Sequence, residues 1–560
     1  MMFKLLTASV LLLLPTTLFA AVGPEDFSVS YSFKLIPALI VLGTFVLYLL
    51  IGLLSRATSP SDYWVAGRGI GPIGNGAAIA SDWMSAASFM GVAGLLYLRG
   101  WFGLGYILGW TGGYVLLLCL FAAPLRRFGK FTIAEFLGDR YDSHGVRLVT
   151  ATVTIIIAVT YAVAQFKGMG LVCGWVFGID YRHSVLFAAG ITLVYLLFSG
   201  MTGVTRNQQL QYVILITAFA VPLWFLIRNA GGSGLFPPLE YGAILSGLME
   251  GKVSPSAGGQ LFGEELAGLR QLFLPWGSGG NIYSFLALVF TLMVGTAGLP
   301  HILVRFYTVQ NESVARSSVV WGLFFIGLLY WASPVYAVIG RYWNPLGGQS
   351  VADMIILSAP EQAQLGPIFL GYLAAGALAA GISTVAALLM AAASAVAHDW
   401  YSTVLHPGCS EKEQLVIGRV FTVVVCVFVV VIALNPPALI AQIVAMAFAV
   451  AGATIFPALV LAIWDSGSNR YGALAGMIWG LSMTLVAMVG WMARIPLFAE
   501  GGLLSATSSA LVITPLALLI NMAVSRLTSD KVSESCLDHS DSILRRLHRL
   551  PERVSDEKIG

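Results

Sequence analysis

The sequence predicts an all-α protein that crosses a membrane about thirteen times, with a core of two five-helix repeats in opposite orientation. Three observations carry this expectation. Of 560 residues 58% are hydrophobic and only 10% are charged, far below the quarter typical of soluble domains. Mean hydropathy is +0.84, and apolar runs near the length of a bilayer-crossing helix recur from end to end. Two of those runs are interrupted by Gly, Ser, Pro and a carboxylate, and they stand five spans apart.

The first 22 residues read as a signal peptide. Lys4 precedes the apolar run Leu5–Leu14, and Leu18-Phe19-Ala20-Ala21 resembles a cleavage site. A transporter-like body over 23–526 follows. Its spans are expected near 34–54, 73–98, 104–124, 148–177, 184–200, 208–229, 284–306, 317–340, 365–397, 415–435, 438–464, 471–493 and 503–526. The outer connections 230–283 and 341–364 are long enough for short helices. The polar tail 527–560 is too short for a catalytic domain. With the N-terminus outside, twenty Lys and Arg fall on the cytoplasmic side and eight on the other. That asymmetry predicts a cytoplasmic tail in a bacterial inner membrane. The five Cys show no metal-binding or disulfide spacing.

The second span, 74–97, contains Asp82 among Gly and Ser. The seventh, 285–308, has Gly295-Thr296-Ala297-Gly298-Leu299-Pro300-His301 at its centre. Pro300 removes a backbone donor and the glycines weaken the turn before it. Both helices are expected to break near mid-bilayer, which is tolerated only where backbone is buried in protein or lines a cavity. Each opens a set of five spans, about 73–229 and 284–464, and an odd count inverts the second set. Matched broken helices point to a transporter binding site.

The ninth span carries Ser383 and Thr384 in the run LAAGALAAGISTVAALLMAAASAVA, 373–397. A hydroxyl in hydrocarbon needs a partner. Two readings stand. The hydroxyls bond back to their own helix in a small-residue packing seam, or, with a nearby carbonyl, they form part of a hard-cation site. Asp82 could attract a cation, relay a proton or pair with an arginine. Lys167 could meet an anion, but it is expected to snorkel outward. His301 could bond a carboxylate, sense pH or satisfy carbonyls freed by the break. Arg305, His398, Asp399 and the Arg126-Arg127 pair are expected at solvated cytoplasmic ends.

Three stretches carry a family resemblance: Ser61-Asp62-Tyr63-Trp64-Val65-Ala66-Gly67-Arg68; Ala80 to Phe89, ASDWMSAASF; and Gly295 to Phe306, GTAGLPHILVRF. With them the chain resembles the sodium:solute symporter family from about Ser61 to Arg526, and within it the bacterial cation/acetate symporters. The resemblance implies alternating access driven by Na⁺, with no other cofactor. It implies a sodium between spans two and nine, held by the carbonyls of Ser81, Met84 and Ala380 and the hydroxyls of Ser383 and Thr384. Residues 380, 383 and 384 do share one helical face. Relatives with a second sodium site have an Asp where this chain has Gln208, which implies a single sodium. Sugar-carrying relatives have large aromatics at Gly295 and Thr296, so no sugar-stacking platform is expected here.

The solute would then be a short monocarboxylate such as acetate, taken up with Na⁺. Half-helix N-termini and free amides suit a carboxylate. Ser85, Ser88, Thr296 and Gly298 are the candidate solute residues, with Asp82, Pro300 and His301 in gating or coupling. Another solute, such as proline or a larger organic acid, or H⁺ coupling, is the nearest alternative. A membrane sensor or channel is the alternative of another class. No HExxH or GxSxG motif suggests an enzyme, and nothing suggests nucleic-acid binding.

Overall fold

The computed structural model describes residues 32–55, 66–233, 237–277, 280–499, 502 and 504–551. The signal-like segment 1–22 and residues 61–65 lie outside the described residues. The rest is helical. In order, α1 is Leu35–Leu54, α2 Pro72–Trp83, α3 Val92–Arg99, α4 Leu104–Leu116, α5 Ala122–Phe128, α6 Ile133–Arg140, α7 His144–Phe177 and α8 Tyr181–Asn229. Then come α9 Pro237–Met249, α10 Gly263–Leu272, α11 Ile282–Gly298, α12 Pro300–Leu303, α13 Glu312–Trp343, α14 Gln349–Ala352 and α15 Ile355–Gln362. The last are α16 Pro367–Ser394, α17 Glu411–Ala433, α18 Ile440–Ala453, α19 Ile455–Trp464, α20 Arg470–Met492, α21 Ala510–Leu527 and α22 Glu534–His548.

Among the described residues ten helices are long and apolar enough to cross a membrane, or eleven with one bent pair counted as a single span. Thirteen is not the number that length and apolarity give. The run at 73–98 divides at Met84, and its first half, α2, has only 12 residues. The run at 184–200 yields the shorter apolar helix Tyr181–Leu197. α8 continues past it through Gly200, whose φ of 56° and ψ of −171° turn the chain between two spans. Only a residue without Cβ adopts that conformation readily. The connections 230–283 and 341–364 hold α9 and α10, and α14 and α15, as their lengths predicted.

α16 is the axis of the molecule. Every residue from Leu373 to Ala393 is buried, enclosed by α1, α2, α7 and α8. Its Ala and Gly content permits this: a Cβ on Gly376 would lie 2.5 Å from the Ala218 Cβ. An all-round apolar helix is one surrounded by protein. α2 packs on α13, and α11 packs on α4 and α18.

The two breaks have separate causes. Leu299 is extended, at φ −74° and ψ 118°, because a residue before proline is pushed out of the helical region. Pro300 then starts α12 at the position proline favours. The helix bends 49° there. At the first break α2 ends at Trp83, Met84 caps it with ψ 58°, and a π-helical turn, Ala87–Gly91, leads into α3. Such turns often mark functional sites.

Candidate cation and solute site

A helix end leaves four carbonyls without intrahelical partners. At the end of α2 all four can be traced. Ala80 O accepts from Met84 N at 2.8 Å. Ser81 O accepts from Ser383 Oγ at 2.7 Å, and Asp82 O from Thr384 Oγ1 at 2.7 Å. Trp83 O accepts from Ser85 N at 2.7 Å and from Ser88 Oγ at 3.0 Å. Two of the freed carbonyls are therefore met by α16 hydroxyls and two by the break itself. Both hydroxyls also lie against Ala380 O, at 3.0 and 3.1 Å. Ser383 and Thr384 thus bond back to their own helix, as the packing reading expects, and they also reach across to the broken one.

Five oxygens thus converge in a fully buried space: Ser81 O, Asp82 O, Ala380 O, Ser383 Oγ and Thr384 Oγ1. Carbonyl and hydroxyl oxygens suit a hard cation, and a hydroxyl keeps lone pairs free while its hydrogen turns elsewhere. Four of the five residues expected to hold sodium, Ser81, Ala380, Ser383 and Thr384, are here. Met84 makes no hydrogen bond to α16 among the described residues; the second carbonyl that α16 reaches is that of Asp82.

The Asp82 side chain points the other way, onto Arg305. Arg305 Nε donates to Oδ2 at 2.6 Å and an Nη atom lies 2.5 Å from the same oxygen, with both side chains 0% exposed. Gln208 Nε2 donates to Asp82 Oδ1 and, at 3.1 Å, to Ser383 O. Gln208 Oε1 accepts from Arg305, which also donates to Thr205 Oγ1 at 2.9 Å. This corrects the placement of Arg305 at a solvated end. Of the three roles weighed for Asp82, pairing with an arginine is the one the geometry displays. Sequence reading missed this network because its members lie 97 or more residues apart, except for the neighbours Thr205 and Gln208. The intramembrane charge of Asp82, which required a partner, was the available signal.

Two other placements are corrected. Lys167 does not snorkel: it is buried, 3.0 Å from Asp353 Oδ2, and donates to Ala438 O at 2.9 Å. Its two partners sit at the C-cap of α14 and just before α18, so it ties them to α7. Asp399 is buried and takes Arg147 Nε at 2.8 Å and Thr132 Oγ1 at 3.1 Å. A carboxylate removed from water needs such donors. At the seventh-span break other helices pack closely on Gly295 and Thr296. A Cβ on Gly295 would lie 2.5 Å from Phe448 O. The Phe448 ring packs on Trp83, Trp110 and Tyr161 at centroid distances of 5.5–5.8 Å.

Of the candidate solute residues, Ser85 and Ser88 stand at the first break. Ser85 Oγ caps Ala87 N at 3.2 Å, and Ser88 Oγ lies 2.9 Å from the Tyr330 hydroxyl. Trp83 Nε1 donates to the same hydroxyl at 2.8 Å. Thr296 and Gly298 serve packing: Thr296 Oγ1 bonds back to Leu292 O at 2.6 Å, and a Cβ on Gly298 would lie 2.6 Å from Ala451 O. Pro300 makes the break, and His301 packs edge-on against Tyr161, with ring centroids 5.6 Å apart. Around the breaks several buried polar atoms find no hydrogen-bond partner among the described residues: Trp110 Nε1, Gln165 Nε2, His301 Nε2 and the Tyr114 hydroxyl. Gln165 Oε1 is engaged by Ala86 N at 2.8 Å.

Two cavities flank this region. One of about 360 Å³ is lined by Arg99, Gln349, Ala438, Gln442 and Arg494. The other, beside His301 and α16, is about 20 Å³, roughly the room of a single water.

A multi-pass helical protein with two broken helices and an oxygen cluster between one of them and an intact helix belongs to the class of ion-coupled secondary transporters. The family follows from comparison. The model of the sodium:solute symporter family matches residues 63–480, and the chain belongs to that family. It is 29% identical to an uncharacterized symporter of Cupriavidus necator, with 80% of this chain and 84% of that protein covered. Its fold is similar to that of a Na⁺-coupled sialic acid symporter in a substrate-bound outward-open state. The TM-score is 0.66 at 13% identity, covering 88% of this chain and 98% of that one. The inward-facing conformation of Mhp1 is also similar, with a TM-score of 0.50 at 12% identity, covering 88% and 97%. The protein is a Na⁺-coupled solute transporter, with Na⁺ as its coupling ion.

Proposed function

We propose that the protein couples the inward movement of one Na⁺ to the uptake of a short monocarboxylate such as acetate across the bacterial inner membrane. The sodium ligands in this reading are the carbonyls of Ser81 and Ala380 and the hydroxyls of Ser383 and Thr384. A further carbonyl comes from the end of α2, from Asp82 or Met84. What supports the cation site is the tracing of the α2 carbonyls: two of them find only α16 hydroxyls, and a cation can take the place of those hydrogens. A single sodium is supported at Gln208, where a second-site Asp would stand: its neutral amide is already taken up by Asp82 and Arg305.

The observation that carries the anionic solute is the set of buried donors without acceptors near the breaks. An indole N–H can only donate, and the free side of Gln165 is its NH₂ group. Such atoms are costly in isolation and are satisfied by a carboxylate. The outer cavity adds Arg99 and Arg494 and no acidic residue, which favours entry of anions. The crowded aromatic shell favours a small one. In this reading Ser85 and Ser88 orient the solute, and Thr296 and Gly298 shape the space. The two repeats span about 73–229 and 284–464, the N-terminal 22 residues are a signal peptide, and the tail faces the cytoplasm. Reporter fusions at the tail, active only in the periplasm, would overturn that orientation.

The test is uptake into proteoliposomes under an imposed Na⁺ gradient. Acetate and propionate should compete for uptake, and glucose and proline should not. Strong competition by proline, with none by acetate, moves the solute to another class. Uptake driven equally by a proton gradient without Na⁺ rejects sodium coupling.

A further inference from the structure

On the face that carries the C-terminal helix, a cavity of about 540 Å³ is lined by five arginines: Arg68, Arg126, Arg127, Arg546 and Arg549. They come from three separate parts of the chain: the segment before α2, the end of α5, and the end of α22. Glu312, at the start of α13, is the one acid in the lining. It is already shared, 2.9 Å from Arg127 Nε and 2.8 Å from Arg549. Five positive charges against one negative leave a formal charge of +4. The other hydrogen bonds of these guanidinium groups among the described residues go to neutral carbonyls. Arg68 donates to Gly129 O and Arg126 to Gln310 O, both at 2.7 Å, and Arg546 donates to Phe128 O at 3.3 Å. Arg126 Nε is shielded from solvent and has no hydrogen-bond partner.

Ordinary cytoplasmic arginines spread over a surface, where water and salt screen them. These converge on a concavity, which concentrates the field instead. The fork-like donors of arginine match phosphate oxygens in pairs. The first turn of α13, capped by Asn311, adds the positive end of a 32-residue helix. The volume exceeds what one phosphate fills. None of these residues takes part in the proposed cation or solute site.

We infer that this cavity is a binding site for an anion bearing two or more phosphate groups, bridging α5, α13 and α22. The chemistry fits a soluble polyphosphate and a lipid headgroup with two phosphates equally, so the experiment separates these sources. The purified full-length protein in detergent is titrated with pyrophosphate, ATP or cardiolipin, following the melting temperature. Sodium sulfate and sodium acetate at matched ionic strength serve as controls. The expected result is a saturable rise with at least one of the three phosphate ligands. Its half-saturation should increase at least tenfold in R126Q/R546Q and in Arg549→Gln, the latter altering an exposed side chain. A response to cardiolipin alone assigns the site to lipid, and a response to pyrophosphate or ATP assigns it to a soluble ligand. Both variants should retain Na⁺-driven uptake, which reports their folding. No saturable rise in the wild-type protein, a rise matched by sulfate, or equal rises in wild type and Arg549→Gln would overturn the inference.

Discussion

Removing the Ser383 hydroxyl is the most direct perturbation of the proposed cation site. Its effect has two parts that oppose each other. In the structure, Ser383 Oγ donates to Ser81 O at 2.7 Å. Ser383→Ala leaves that buried carbonyl without a donor, which costs about 1–3 kcal/mol. Sodium would then partly relieve the penalty by ligating the carbonyl itself. In the bound arrangement the variant lacks one ligand oxygen, and hydrogen bonds to charged groups, the nearest measured analogue, contribute about 1.5–3 kcal/mol. If sodium relieves about half of the first term, its affinity is weakened by about 1–1.5 kcal/mol, and 1.4 kcal/mol is roughly tenfold.

The assay is solute uptake into proteoliposomes as a function of external Na⁺. The half-activating concentration should rise about tenfold in Ser383→Ala and again in Thr384→Ala, with the melting temperature lowered only modestly. Thr384→Ser, which restores a hydroxyl facing Asp82 O, should behave like the wild type. Unchanged Na⁺ activation in both alanine variants, in protein that is folded and inserted, refutes the assignment.

Three further expectations concern the frame around the site. Asp82→Asn leaves the Arg305 guanidinium buried against a neutral amide, and breaking such a pair costs about 3–5 kcal/mol. The yield and melting temperature of the detergent-purified protein should fall, and Arg305→Gln added to Asp82→Asn should recover part of the loss. Lys167→Met should do the same to Asp353, with recovery in the double variant Lys167→Met/Asp353→Leu; independent, additive losses would show that the pair is not coupled. Gly298→Ala places a Cβ 2.6 Å from Ala451 O, and overpacking of this kind costs about 1–3 kcal/mol. It should lower both the melting temperature and uptake, and normal uptake in Gly298→Leu would show that α11 and α18 separate more easily than their contact implies.

What the sequence made legible follows from the range of the signals. The break before Pro300 is local chemistry, since proline dictates the conformation of Leu299, and it could be read from seven residues. The hydroxyls of α16 were legible because polar atoms in an apolar run must find partners, and periodicity put 380, 383 and 384 on one face. The identity of a distant partner is not periodic. Nothing near Arg305 states that it lies against Asp82, 223 residues away, so a charge near a span end was read as solvated. Lys167 and Asp399 were misread for the same reason: long-range pairs, Asp353 and Arg147, draw them inward. The aromatic shell escaped because its rings come from five helices, α2, α4, α7, α13 and α18, and no local pattern states which of them face each other; the one-face spacing of Tyr106, Trp110 and Tyr114 on α4 was the available signal.

Three consecutive residues at the end of α2 connect these parts, and they define the last prediction. The Ser81 and Asp82 carbonyls meet α16; the Asp82 carboxylate meets Arg305 on the second broken helix; the Trp83 carbonyl meets Ser88 at the first break. An ion that rearranges the first two carbonyls therefore acts on a backbone segment that also sets the geometry of the third. Tyr330 closes this link, accepting from Trp83 Nε1 at 2.8 Å and pairing with Ser88 Oγ at 2.9 Å. Tyr330→Phe keeps the ring and its packing on Trp110 but leaves both partners short of a hydrogen bond, at a cost of about 1–3 kcal/mol. If Na⁺ reaches the solute site through this segment, the variant should still be activated by Na⁺, but the factor by which Na⁺ lowers the solute KM should shrink. Coupling between bound ligands is reciprocal, so the factor by which solute lowers the half-saturating Na⁺ in equilibrium binding should shrink equally. A variant in which both factors match the wild type would show that the coupling runs by another route, such as the Asp82–Arg305–Gln208 network that ties the end of α2 to the second broken helix.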